Sequence, residues 1–151
     1  TTGRITQLDP TKHEHTESVK INNVNIKVFD LGGHQAMRKI WRQHFMNIHG
    51  IVYIVDSAML QDLKSPRTSL TDTKERRTLE YSIVILGNKI DKREAQGEMA
   101  LKKVFELEKE SSFGAQPVEE KEGKPVKLFM CSVVKKTGIK EAFDWLTTKL
   151  K

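Results

Sequence analysis

Two short clusters in this 151-residue chain carry side chains whose types and spacing could do chemistry. The first is Asn88-Lys89-Ile90-Asp91. A carboxylate can accept two parallel hydrogen bonds from the N1 and N2 edge of guanine, a pair that adenine cannot donate. The lysine can lay its methylene stem over the base face, and the asparagine can tie the loop to a neighbour. The same residues also suit a plain helix start, with Asp91 as the N-cap of the next helix. The second cluster is Asp30-Leu31-Gly32-Gly33-His34. A carboxylate followed by two glycines can hold a metal-bound water while bare backbone amides approach a phosphate; it is equally a simple turn. His13-Glu14-His15 lacks the H-E-x-x-H spacing of a zinc site and reads as polar surface.

Such residues act only if something positions them. Residues 17–21 and 24–30 flank Asn22-Asn23, a pair able to take positive φ, and this predicts a β-hairpin ending at Asp30. Its second arm alternates, with Val24, Ile26 and Val28 on the expected apolar face. Met37, Ile40, Trp41, Phe45 and Ile48 then recur at helical spacing, before a stop at Gly50. Three apolar runs, Ile51–Val55, Ile83–Leu86 and Val126–Cys131, lack polar alternation, as parallel strands covered on both faces should. Helical stripes follow at 94–109 and 138–150, whereas 61–80 is interrupted by Pro66 and 110–125 reads as a polar loop. Strand then helix, repeated, predicts an α/β fold: a doubly wound, mostly parallel sheet with helices on both faces, in one domain over 1–151. In such a sheet ligands sit beyond the carboxyl ends of the strands, which brings in Cys131-Ser132-Val133 as a third stretch of interest.

Composition narrows the classes. The 26 Lys plus Arg against 20 Asp plus Glu leave a formal charge of +6, but the basic residues are spread out, with acids close by and few aromatics between. That predicts solvated faces rather than a nucleic-acid footprint. The one cysteine, Cys131, excludes an internal disulfide framework and leans toward a reducing compartment. No apolar run approaches the roughly 18 residues of a membrane span, and Thr1 opens no signal peptide, so a soluble chain is expected.

Taken together, Asp30-Leu31-Gly32-Gly33-His34 and Asn88-Lys89-Ile90-Asp91 resemble the motifs of the small GTPases, and within them the Arf and Sar branch. The histidine at 34, together with Phe129-Met130-Cys131-Ser132-Val133-Val134 and Glu141-Ala142-Phe143-Asp144-Trp145-Leu146, is most similar to the Sar GTPases of the coat protein complex II (COPII) vesicle coat. The resemblance implies a P-loop-NTPase-like fold and a switch that binds GTP or GDP with Mg²⁺. It implies Thr11 and Asp30 at the metal, the Gly33 amide at the γ-phosphate and His34 orienting the attacking water. Asn88, Lys89 and Asp91 would read guanine, with Ser132 and the Val133 amide near its O6. The implied partners are the COPII inner coat as GTPase-activating partner and a guanine-nucleotide exchange factor at the endoplasmic reticulum, with no nucleic acid. The implied location is cytoplasmic, peripheral on endoplasmic reticulum membrane and COPII vesicles through an N-terminal amphipathic helix not found in these 151 residues.

One expected motif is missing. None of the nine glycines begins a Walker A loop, G-x-x-x-x-G-K-[ST]; only Gly123 precedes a lysine, and Pro125 comes next. By the resemblance, residue 3 falls just after the family's first helix, so the first strand and phosphate loop precede the chain, and the domain is expected to be N-terminally incomplete. That strand is central in the family, between the strands at 24–30 and 51–56. Without it, or a partner strand or swapped dimer in its place, buried backbone groups would go unpaired at about 1–3 kcal/mol each. The chain alone is therefore expected to be inactive, and the competing reading is a catalytically silent GTPase-like interaction module without a phosphate site.

Overall fold

The computed structural model describes residues 14–33, 41, 43, 44, 48–62, 81–105, 107 and 126–150. They fall into two compact units, one ending at Ile48 and the other beginning at His49.

The first unit is built on a hairpin of β1 (His15–Ile21) and β2 (Val24–Asp30), antiparallel with Ile21 opposite Val24 and His15 opposite Asp30. Asn22 and Asn23 hold φ of 48° and 64°, the paired left-handed conformation of a type I′ turn, which short polar side chains tolerate best. β1 starts two residues before the expected Glu17. The alternation of β2 also breaks near its end: Val28 is exposed while Phe29 is the more covered residue. The cause is local, because the Phe29 ring packs against His44 at 5.3 Å and lies under the Lys27 ammonium at 5.0 Å. Trp41, Gln43 and His44 are helical, and the rest of the amphipathic stretch expected there lies outside the described residues. The Trp41 indole N–H donates to the Gly32 carbonyl at 3.2 Å, and His44 sits 3.4 Å from Glu14.

In the second unit three parallel strands, β3 (Gly50–Asp56), β4 (Ser82–Asn88) and β5 (Val126–Met130), lie in that order. β4 is central and buried from Ser82 to Gly87, which explains its unbroken apolar sequence. Two helices cover it, α1 (Glu98–Val104) and α2 (Ile139–Lys149). Alternate side chains of β4 point to opposite faces. Val84 and Leu86 join Cys131, Ala142 and Leu146 beneath α2, whereas Gly87 faces Leu101 of α1. A Cβ on Gly87 would lie 2.6 Å from Leu101 and 2.7 Å from the Met130 sulfur, so the residue is small because the helix packs down on it. Burying side chains such as Leu101 and Leu146 contributes about 1.5–3 kcal/mol each.

α1 is shorter than the expected 94–109. Its approach is a series of turns, Lys92 N–H to Lys89 O and Ala95 N–H to Lys92 O, after which Gln96 N–H bonds the Ser57 carbonyl at 2.9 Å. That bond, and Gly97 in extended conformation (φ −76°, ψ 170°), delay the helix to Glu98. After β3 the chain makes a 3-10 turn over Ser57–Asp62, kinked at Met59. Residues 63–80 and 108–125 lie outside the described residues. No helix among the described residues is long and apolar enough to cross a membrane.

Candidate functional site

The carboxyl ends of β3, β4 and β5 meet at one edge of the second unit, and the chemically capable residues of that unit gather there. Asp56 is opposite Asn88 in the register of β3 and β4, and Gly87 is opposite Met130 in that of β4 and β5. Two backbone bonds weld the loop exits together, Cys131 N–H to Gly87 O at 2.9 Å and Ile90 N–H to Cys131 O at 3.3 Å.

Asn88 is the tie. Its Oδ1 accepts from the Lys89 amide at 2.7 Å and from the Val133 amide at 3.2 Å, with the Cys131 thiol at 3.8 Å. The Val133 amide is therefore bonded to Asn88 here, and meeting a base oxygen requires that bond to be shared or exchanged. Lys89 adopts φ of 68°, a left-handed conformation that non-glycine residues hold only where surrounding bonds enforce it.

Ser132, fully buried, is the second tie. Its hydroxyl donates to Asp91 Oδ1 at 2.5 Å and accepts from the Lys135 amide at 3.1 Å. The Ser132 bond is the main reason the Asp91 carboxyl lies below its ordinary pKa of 3.8; it outweighs the smaller opposing effect of desolvation. Asp91 is thus an ionised acceptor at neutral pH, fixed by a neighbouring loop rather than by its own backbone alone. It is not the cap of α1, which begins at Glu98 after Gly97. An ionised acceptor in the loop after a strand end has the chemistry to accept from the donor edge of a guanine base.

The hydrogen bonds at this edge expose a residue that strand-end reasoning could have found, since Asp56 closes the apolar run Ile51–Val55. Its Oδ2 lies 2.6 Å from Lys89 Nζ, and its Oδ1 accepts from the Ala58 amide at 3.0 Å. Burial pushes the Asp56 pKa up, but the bonds from Lys89 and Ala58 and the nearby lysine charges win, and the net shift is down. Next to it, the Ser57 hydroxyl is fully buried and has no hydrogen-bond partner among the described residues. Cys131, also fully buried, has its thiol pKa raised by desolvation, as fits a packed residue rather than a reactive one.

Of the residues singled out in the sequence, Asn88, Lys89, Asp91, Ser132 and Val133 are brought together at this edge. Asp30 and Gly33 belong to the first unit, at and just beyond the end of β2, where Gly33 is exposed with no atom within 4 Å of where a Cβ would stand. Thr11 and His34 lie outside the described residues. Among the described residues no group of three or more His, Cys, Asp or Glu could hold a metal ion.

Comparison with known proteins identifies the family. The model of the ADP-ribosylation factor family matches residues 1–150. The small COPII coat GTPase SAR1 of Giardia intestinalis is 30% identical over 154 residues, covering 96% of this chain and 76% of that protein. The ADP-ribosylation factor-like protein 8c of Arabidopsis thaliana is 33% identical over 147 residues, covering 97% and 74%. Among solved structures, the Arl6 BBS3 small GTPase of Trypanosoma brucei, with a bound nucleotide analogue GppNp, superposes with a TM-score of 0.75 at 22% identity, over 97% of this chain and 84% of that one. The fold is thus the α/β fold of the small GTPases, and a family match over nearly every residue makes this chain an Arf/Sar-type small GTPase, a member of the ADP-ribosylation factor family.

Proposed function

We propose that the protein is a GTP-binding and GTP-hydrolysing switch that recruits the COPII coat for vesicle budding from the endoplasmic reticulum, with residues 1–151 forming part of a single nucleotide-binding domain. One observation carries the nucleotide reading: Asn88 and Ser132 cross-tie the loops after β4 and β5, so that Asp91 stands as an ionised acceptor beside Lys89. The COPII reading is supported by the histidine at 34, by the Phe129–Val134 stretch and by similarity to SAR1 of Giardia intestinalis; Arf-like relatives of equal similarity make it the finer part of the proposal.

In this reading Asp91 accepts from the guanine edge, the Lys89 stem covers the base, and Ser132 and the Val133 amide stand near the base oxygen. Thr11 and Asp30 hold Mg²⁺, Asp30 through a water, and the Gly33 amide meets the γ-phosphate. When bound, the metal neutralises charge on the phosphates. His34 orients the attacking water, a positioning role that needs its neutral form, since protonation removes the acceptor nitrogen. The COPII inner coat is the activating partner, supplying an arginine in trans, and an exchange factor reloads the switch at the membrane. The protein works in the cytoplasm, peripheral to endoplasmic reticulum membrane.

Titration with GDP and ADP tests the proposal. Preference for GDP, lost in Asp91→Asn with a gain for the xanthine analogue, is the expected result, and equal affinities refute it. His34→Gly is expected to slow single-turnover hydrolysis with nucleotide affinity retained; an unchanged rate removes His34 from the mechanism.

A further inference from the structure

We propose that Asp56 is a positioning residue for the base loop: its carboxylate tethers the Lys89 ammonium and so lays the lysine stem across the face of the guanine. The inference rests on the reading of residues 88–91 as the guanine-binding loop and adds to it a residue from a different strand.

The geometry is that of a brace. Asp56 is the last residue of β3 and stands opposite Asn88 in the parallel register. One carboxylate oxygen is anchored by its own turn, accepting from the Ala58 amide at 3.0 Å, which leaves the other aimed at Lys89 Nζ, 2.6 Å away. Lys89 is thus held at both ends. Its amide is bonded to Asn88 Oδ1 at 2.7 Å with the backbone at φ 68°, and its ammonium is bonded to Asp56. A free lysine side chain samples many rotamers, and a stem that must cover a flat base has to be stopped in one of them. Fixing the two ends does this without occupying the stem itself.

The competing explanation is an ordinary surface ion pair, since the Lys89 side chain is 46% exposed. Such pairs contribute little to folding. The two explanations therefore differ in ligand binding, and in whether the effect of Asp56 passes through Lys89. A role confined to the Ala58 turn would persist when the ammonium is gone.

Guanosine, which needs no phosphate contacts, is the probe, with adenosine for comparison, titrated by NMR into the full chain and its Asp56→Asn, Asp56→Glu, Lys89→Met and Asp56→Asn/Lys89→Met variants. Asp56→Asn and Lys89→Met are each expected to weaken guanosine binding by about 3–10-fold, with the double variant no weaker than Lys89→Met and Asp56→Glu partly restored. No effect of Asp56→Asn, or an equal effect in the Lys89→Met background, overturns the proposal. Independently, the Asp56 carboxyl is followed by carbon-detected NMR through an acid titration. Its midpoint should rise in Lys89→Met, and an unchanged midpoint also overturns the tether. Equal binding of guanosine and adenosine by the unaltered chain refutes the guanine-loop reading instead, and the carboxyl titration then decides whether Asp56 holds Lys89.

Discussion

Replacing Gly138 with alanine tests how closely the chain approaches itself where the start of α2 meets the end of β5. Gly138 precedes α2 at φ 75° and ψ −10°, the left-handed region. A Cβ there would run into the Met130 carbonyl oxygen and lie 3.1 Å from Cα and Cβ of Cys131. The conformation alone costs a non-glycine residue about 1–2 kcal/mol. Overpacking against atoms that must move adds about 1–3 kcal/mol, with no flexible side-chain end to yield, since the main obstacle is backbone. The sum, about 2–5 kcal/mol, corresponds at roughly 2–4 °C per kcal/mol to a fall in melting temperature of roughly 4–20 °C. Thermal unfolding followed by circular dichroism measures it. Gly33→Ala is the control, with open space around its Cβ and no positive φ, and should move the midpoint by only about 1 °C. A Gly138→Ala midpoint within about 2 °C of the parent would refute the claim that only glycine fits this close approach.

Three further substitutions probe other parts of the second unit. Ser57→Ala removes a buried hydroxyl with no partner among the described residues, so melting should be unchanged or up to about 1 kcal/mol more stable, and a loss beyond about 2 kcal/mol would reveal a bond to that hydroxyl. Gly97→Asp should stabilise by about 0.5–1 kcal/mol in denaturant titration, because α1 has no side-chain cap, Gly97 is already extended and its Cβ would meet open space. The folded-state pKa of Asp56 is depressed, so its contribution is present above the unfolded value of 3.8 and lost as pH falls through the folded one. Melting temperatures from pH 6 down to pH 2 should thus decline less steeply in Asp56→Asn than in the parent, and parallel profiles would count against the shift.

Much of the second unit could be read from sequence because the signals were both local and periodic. β4 is unbroken apolar sequence because both its faces are covered, and α2 shows its stripe because one face meets Val84 and Leu86. Strand-end logic led to Asn88, Asp91, Ser132 and Val133, which the structure joins in two pairs, the Ser132 hydroxyl with Asp91 and the Val133 amide with Asn88. What escaped was decided between elements. Asp56 looked like the mere end of a strand, and its bond to Lys89 joins residues 33 positions apart, set by the register of β3 with β4. The delay of α1 comes from the Gln96 bond to Ser57, and the exposure of Val28 from the ring of Phe29 meeting His44. Such partners have no periodicity of their own.

The burial of Cys131 gives the protein an internal reporter. It is the one thiol in the chain, it has no solvent exposure, and desolvation keeps it protonated beyond its ordinary value, so an alkylating reagent cannot reach a thiolate in the closed fold. Each labelling event therefore counts an opening at the end of β5, and the labelling rate relative to that of the unfolded chain measures the free energy of that opening. Because the sulfur sits 3.8 Å from the Asn88 oxygen that binds the two loops together, anything that tightens those loops slows the reaction. One wild-type cysteine thus converts the tightness of the loops after β4 and β5 into a chemical clock, with no probe attached and no residue changed.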